Sequence, residues 1–176
     1  VGTLWSDNSG ELISACRLLN IPHDGSQPGV PKTNAVIERT NQTLVQQTKS
    51  LLLGAGLPPC FWPYAAQCFC VLSNASGELG TSPWFKTHGR EFPGQLFPFG
   101  CKVSFKPNVT TKAGGLGKYE PDTIVGVFAG YEIKSGYEWK GEYLVWPLES
   151  FVKAELSKLT THLDQTLKHP QAVKRC

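Results

Sequence analysis

Two acidic residues in this chain have the setting for metal chemistry. Asp7 closes the apolar run "VGTLWS", and Glu38 lies in "PKTNAVIERTNQTL", with thirty residues between them. Glu38 has no basic residue three or four positions ahead on its own helical face, where a carboxylate ordinarily finds support. Two carboxylates about 4 Å apart repel by about 4 kcal/mol at an effective dielectric of roughly 20. Such a pair persists only with a cation, a shared proton or basic partners. Oxygen ligands of this kind suit Mg²⁺ or Mn²⁺, and two such ions about 3.5–4 Å apart activate an attacking oxygen and stabilise the leaving one in phosphodiester chemistry. On spacing alone the plainer reading is favoured: Asp7 turns or caps the chain, and Glu38 is solvated.

The elements around these residues decide whether they can meet. "VGTLWS" reads as a short β-strand ending at Asp7. In "SGELISACRLLN" the residues Leu12, Ile13, Cys16 and Leu19 recur at helical spacing, with Ser9 as N-cap and Glu11 in the favourable first turn. "IPHDGSQPGVP" is rich in Pro and Gly and reads as a loop. The longest helix is expected from about Thr33 to Ala55, with Ile37, Leu44 and Leu51 seven apart on one face, and "GAGLPP" stops it. A second helix is expected in "PCFWPYAAQCFCVLSNA", with Phe61, Trp62, Ala65, Phe69 and Leu72 facing inward, and a short one in "SPWFKTHG".

Near Phe97 the apolar period changes from 3.6 to 2. Phe99, Cys101, Val103 and Phe105 alternate with Gly100, Lys102 and Ser104, the pattern of a half-buried strand. "DTIVGVFAGYE" and "GEYLVWPLESFV" supply further strands, with "TKAGGLGKYEP" and "KSGYEWKG" as linkers. The pattern is α/β to about residue 92, then a small β-barrel or sheet over 93–153, which as a barrel closes on its own strands. Residues 154–176 are thinly apolar and read as a loosely ordered tail. Five barrel aromatics, Tyr131, Tyr137, Trp139, Tyr143 and Trp146, could stack nucleic-acid bases. Packing within the barrel is favoured, because the local charge is near neutral.

Composition sets the limits. Of 176 residues, 40% are apolar and 18% charged, which argues for a packed core and against disorder. The net charge of +3 is spread thinly: six basic and six acidic residues in 1–92, seven and six in 93–153, four and two beyond. No basic stripe points to nucleic acid by charge alone. No apolar stretch approaches the roughly 18 residues of a membrane span, so no membrane partner is expected. None of the six cysteines forms a Cys-x-x-Cys pair and the four histidines are scattered, which disfavours zinc. Reduced, mostly buried thiols are expected, with Cys16, Cys68 and Cys70 as small core residues. Met is absent, and a chain opening on Val1 within a strand reads as a piece of something longer.

Several separate motifs then recur in one order. "SDNSGEL" and "NIPHDGSQPGVPKTNAVIERTNQTL" are followed by "LPPCFWPYAAQCFCVLSN", "TSPWFKTHGREF", "FPFGCKVSF" and "IVGVFAGYE". Over residues 2 to about 153 this resembles the second half of the integrase core of copia-type retrotransposons and the SH3-like domain that follows it in their Pol polyproteins. The resemblance implies a partial ribonuclease H-like fold over 1–92 and an SH3-like β-barrel over 93–153. It also implies a triad of two Asp and one Glu that holds two Mg²⁺ or Mn²⁺ ions, trims the element's DNA ends and joins them to target DNA. Asp7 is then the second carboxylate and Glu38 the third, both catalytic and metal-binding. Lys32, Asn34, Arg39, Asn41 and Lys49 match positions suited to DNA contact, although Arg39 reads equally well as a surface charge and Lys49 better so. The resemblance further implies oligomerisation in the full-length enzyme, and residence in a cytoplasmic particle and the nucleus.

The departures are specific. The first Asp of the triad and the upstream His/Cys zinc region have no counterpart in this chain, so the fragment alone is expected to be inactive. Ser9 stands where the pattern has the Gly of Asp-Asn-Gly, Ala35 where it has the Gly of Asn-Gly, Lys32 for a Gln and Gly29 for a Tyr. Together they suggest a decayed copy, so a degenerate or domesticated remnant that binds nucleic acid without chemistry is the alternative.

Overall fold

The computed structural model describes residues 3–6, 9–25, 35–107, 123–152, 154, 156, 169–174 and 176. The architecture is mixed α/β, and the chain divides into two compact units, Val1–Thr43 and Leu44–Cys176. The expected linker 111–121 lies outside the described residues.

In the first unit, strand β1 (Leu4–Ser6) is followed by helix α1 (Gly10–Leu18) and strand β2 (His23–Gly25). The two strands pair in parallel, with Leu4 opposite His23 and Ser6 opposite Gly25. A parallel pair needs a crossover, and α1 supplies it. Ser9 caps this helix as expected, accepting from the Leu12 N–H at 3.4 Å, with Glu11 in the first turn and Arg17 in the last. Cys16 is its buried residue. The segment read as a loop therefore contains a strand. Pro22 does not prevent this, because it stands at the strand's entrance, and its carbonyl still accepts from the Leu4 N–H at 2.8 Å.

Helix α2 (Ala35–Ala55) matches the expected long helix within the described residues. It stops where Gly56 adopts φ +65°, while Leu57 N–H donates to Leu52 O and Gly56 N–H to Leu53 O. This is the Schellman arrangement, which only a residue free of Cβ strain adopts readily. A 3₁₀ turn (Pro59–Phe61) leads into α3 (Trp62–Ala75). The buried stripe of α3 is Ala65, Cys68 and Val71, in phase with buried Phe61. Trp62, expected inward, is 58% exposed, because the stripe through Phe61 rather than the one through Trp62 meets the sheet. Helix α4 (Pro83–His88) starts at a Ser82 cap that accepts from Phe85 N–H at 3.0 Å, and ends at Gly89 in the left-handed conformation.

Strands β3 (Lys102–Phe105), β4 (Ile124–Lys134), β5 (Glu138–Pro147) and β6 (Gln171–Val173) form one antiparallel sheet in chain order. Val103 and Phe105 of β3 are buried while Lys102 and Ser104 are exposed, as alternation requires. The β4–β5 hairpin is longer than expected. Lys134 pairs with Glu138, so the turn shrinks to Ser135–Tyr137 and "EWKG" belongs to β5. "ESFV", expected in a strand, forms the short helix α5 (Glu149–Val152). Gln171–Val173, expected in a loosely ordered tail, pairs along β5 with Val173 opposite Tyr143, and Val173 is buried. Of the barrel or sheet expected over 93–153, the described residues show a four-stranded sheet, and its fourth strand comes from the tail.

One core joins Leu52 of α2, the α3 stripe and the inner face of the sheet. Four of the five barrel aromatics, Tyr131, Trp139, Tyr143 and Trp146, belong to it or pack against it, whereas Tyr137 lies beside Trp84 and His88. Tyr131 and Trp146 are fully buried, and Tyr143 nearly so. Their polar atoms are satisfied within the fold. Phe97 N–H donates to the Tyr131 hydroxyl at 3.0 Å, which itself donates to Gln95 O, and Gln95 N–H donates to the Tyr143 hydroxyl at 2.9 Å. Trp139 donates to Glu142 O, and Tyr137 accepts from the Asn74 amide. Trp146 meets Phe61 edge-on at 5.1 Å and Tyr64 at 4.9 Å. These rings pack the core, as the near-neutral charge suggested.

Candidate functional site

The residues singled out for chemistry fall into two groups. Glu38, Arg39, Asn41 and Lys49 are all on α2, and every one is exposed. Asp7, Lys32 and Asn34 lie outside the described residues, and so does the meeting of Asp7 with Glu38.

Glu38 stands in the first turn of α2. The positive end of the helix dipole favours a carboxylate there. No described residue forms a hydrogen bond or ion pair with it, so its oxygens remain open to a cation. At 100° per residue, Asn41 lies about 60° and Lys49 about 20° from Glu38 around the helix axis, whereas Arg39 lies about 100° away. Asn41 and Lys49 therefore share the Glu38 face, and Arg39 flanks it. Lys49 is three turns on, about 16 Å along the axis.

A carboxylate oxygen is the right donor for Mg²⁺ or Mn²⁺. Among the described residues, however, no three His, Cys, Asp or Glu side chains come together in a group able to hold a metal. Glu38 by itself offers one carboxylate among the described residues.

A polar contact at the end of β1 was not anticipated. The Ser6 hydroxyl and His23 Nε2 lie 2.8 Å apart across the β1–β2 pair. Ser6 is the residue before Asp7 in sequence, so this contact holds β2 to the strand end from which Asp7 continues. The signal was present: "IPH" is part of the pattern that carries the family resemblance, but Pro and Gly nearby masked its extended character.

The chain is 42% identical over 111 residues to the retrovirus-related Pol polyprotein from transposon TNT 1-94 of Nicotiana tabacum, a match covering 57% of this chain and 8% of that protein. It is 36% and 35% identical over 77 residues to the corresponding polyproteins from transposons RE2 and RE1 of Arabidopsis thaliana, each match covering 42% of this chain and 5% of the relative. The chain thus spans a small part of the length of these relatives. No family model matches the sequence, and no solved structure matches it. These similarities make it a retrotransposon-derived protein. Its relatives are the Pol polyproteins of copia-type elements.

Proposed function

We propose that this chain is the C-terminal part of an integrase core, ribonuclease H-like over 1–92, followed by an SH3-like domain over 93–153. That division is one of ancestry rather than of packing, since α3 and the sheet share a core. Within a complete polyprotein product the core acts in DNA strand transfer, with Asp7 and Glu38 as two of its three carboxylates. Bound Mg²⁺ or Mn²⁺ would supply Lewis-acid activation of the attacking oxygen and charge stabilisation at the leaving one. The chain's own residues hold and orient. Glu38 offers its carboxylate at the start of α2, Asn41 and Lys49 extend the same face toward a phosphate backbone, and Lys32, Asn34 and Arg39 complete the contact with element ends and target DNA. Oligomerisation, and work divided between a cytoplasmic particle and the nucleus, belong to the same reading.

One observation carries this reading: Glu38, in the matching Pro-x-x-Asn-x-x-x-Glu-Arg segment, is an exposed carboxylate without a described partner in the first turn of the longest helix. Mn²⁺ titration of the chain and of Glu38→Gln tests it. The parent is expected to bind weakly, with a site short of one carboxylate, and Glu38→Gln to weaken binding at least tenfold. Equal affinity of the two proteins would remove Glu38 from the metal site.

The four departures from the pattern, Ser9, Ala35, Lys32 and Gly29, favour a second reading: a degenerate or domesticated remnant that keeps nucleic-acid affinity without chemistry. In that case DNA binding survives Glu38→Gln and does not depend on Mn²⁺.

A further inference from the structure

One row of residues crosses all four strands of the sheet and ends near two thiols. Cys101 O accepts from Phe128 N–H at 2.9 Å, one step beyond the Lys102–Val127 pair of β3 and β4. Phe128 pairs with Val145, and Val145 with Gln171 of β6. Three strand spacings of about 4.8 Å separate Cys101 from Gln171 along the sheet, roughly 14 Å. Cys176 stands five residues beyond Gln171, a reach of about 17 Å when extended. The chain after β6 can therefore bring Cys176 back to Cys101, and it does: desolvation, and then the neighbouring Cys101, push the Cys176 thiol up to about 11. Charges act on one another in this way only over about 10 Å before salt screens them.

All six thiols are free, and Cys176 is exposed while Cys101 packs, partly buried, against the core. Cys68 also neighbours Cys101, but it is fully buried and out of a reagent's reach. A metal fits poorly, because among the described residues no three His, Cys, Asp or Glu groups come together to hold one. Two neighbouring thiols, one of them open to solvent, suit oxidation to a disulfide instead. The position of β6 gives that bond a consequence. Its three residues, Gln171–Val173, cover the β5 edge along Tyr143–Val145, and so short a strand opens more readily than the long β4–β5 hairpin.

We propose that Cys101 and Cys176 are a redox latch: oxidised to a disulfide, they pin β6 to the sheet, and reduced, they let it leave and bare the β5 edge to another strand. The oxidant is a small-molecule disulfide such as oxidised glutathione. The exposed Cys176 thiolate attacks one of its sulfurs, forming a mixed disulfide and expelling one glutathione thiolate. The Cys101 thiolate then attacks Cys176 Sγ and expels the second. Two protein thiols are oxidised, one glutathione disulfide is reduced, and the two protons released pass to the two glutathione thiols. Desolvation raises both protein thiols, so few thiolates exist near neutral pH and closure is slow. The same property makes them poor leaving groups, so the closed latch resists reduction. The bond closes a loop that contains β4, β5 and β6, which restricts the opened chain most. This inference stands independently of the metal reading above.

Treatment of the full 176-residue chain with millimolar oxidised glutathione at mildly alkaline pH tests it. The intact mass is expected to fall by two hydrogen atoms, and digestion without reductant to release one peptide pair joined through Cys101 and Cys176. Amide exchange at Tyr143 to Val145 is expected to slow by about tenfold or more in the oxidised chain and to return to the parent's rate on reduction. Cys176→Ser, at an exposed position, is expected to keep the melting curve of the reduced parent while losing both the cross-link and the slowed exchange. A glutathione adduct on Cys176 as the end product overturns the proposal, as does a cross-link that joins Cys68 or two chains. A Cys101–Cys176 bond that leaves exchange at Tyr143 to Val145 unchanged overturns it equally.

Discussion

Cys68 shows how far this fold removes a reactive group from chemistry. Its side chain is fully buried on α3, and burial pushes its thiol up to about 12 from 9.0, with Cys101 nearby adding to the shift. Tyr131, beside the same core, is pushed upward mainly by burial too. A group whose folded pKa is raised gives stability that is fully present below its unfolded value and lost as pH climbs to the folded one. For Cys68 that window runs from about pH 9 to about pH 12, at up to about 1.4 kcal/mol per pH unit. Denaturation midpoints measured at pH 8, 10 and 11 are expected to fall in that order. At pH 8 an alkylating reagent should reach exposed Cys176 in the native chain, slowly because desolvation pushes its thiol up to about 11, and Cys68 only at the rate of unfolding; labelling of Cys68 in the native chain as fast as that of Cys176 would contradict its burial. The same residue-level logic marks Glu38 as different. It is exposed and without a described partner, so its substitution should cost little stability, and under the metal reading proposed above the effect falls on Mn²⁺ affinity, which the titration of Glu38→Gln reads.

At the scale of elements, the sheet depends on close approach where β3, β4 and β5 cross. A Cβ at Gly126 would meet Val145 Cγ1 at 2.5 Å, Trp146 O at 2.6 Å and Phe105 Cε1 at 2.7 Å. Backbone and fully buried side chains surround this position, so none of them yields cheaply. Gly126→Ala is expected to lower stability by about 1–3 kcal/mol, read as a shift in the urea midpoint with unchanged slope. Gly130 serves a different need. It has φ +137° and sits where the β4–β5 register shifts, with Cys68 Cβ at 3.4 Å from a would-be Cβ, so α3 lies directly on the bulge. The elements were mostly legible beforehand. Alternation at Val103 and Phe105, the Ser9 cap and the glycine stop after Ala55 each act locally. The misread elements are those in which partners decide. The three residues of β2 hold no period and become a strand only because β1 lies beside them. "ESFV" leaves the sheet as α5, with Phe151 against Phe61 and Trp146.

At the scale of the molecule, the last strand matters more than its length suggests. β6 covers the outer edge of β5 along Tyr143–Val145, and Val173 is buried against the core. Removing residues 169–176 bares a hydrogen-bonding edge next to the longest hairpin, and bare edges recruit other strands. The truncated chain is expected to melt several degrees lower and to aggregate. Hydrogen exchange should show lost protection at Tyr143 to Val145 first; protection equal to the parent's would mean that β6 contributes nothing.

The sequence by itself determined what neighbouring residues determine: caps, helix stops, alternation, and the ordered motifs that tie the chain to copia-type Pol polyproteins. It also marked Glu38 and its companions on one helix, because 3.6-residue spacing needs no tertiary information. Only the tertiary structure decided which of two equally spaced stripes of α3 is buried, that Trp62 is left outside, and that a tail strand completes the sheet. Those outcomes depend on pairing and packing between segments far apart in the chain, and local periodicity is the same whichever partner a segment finds.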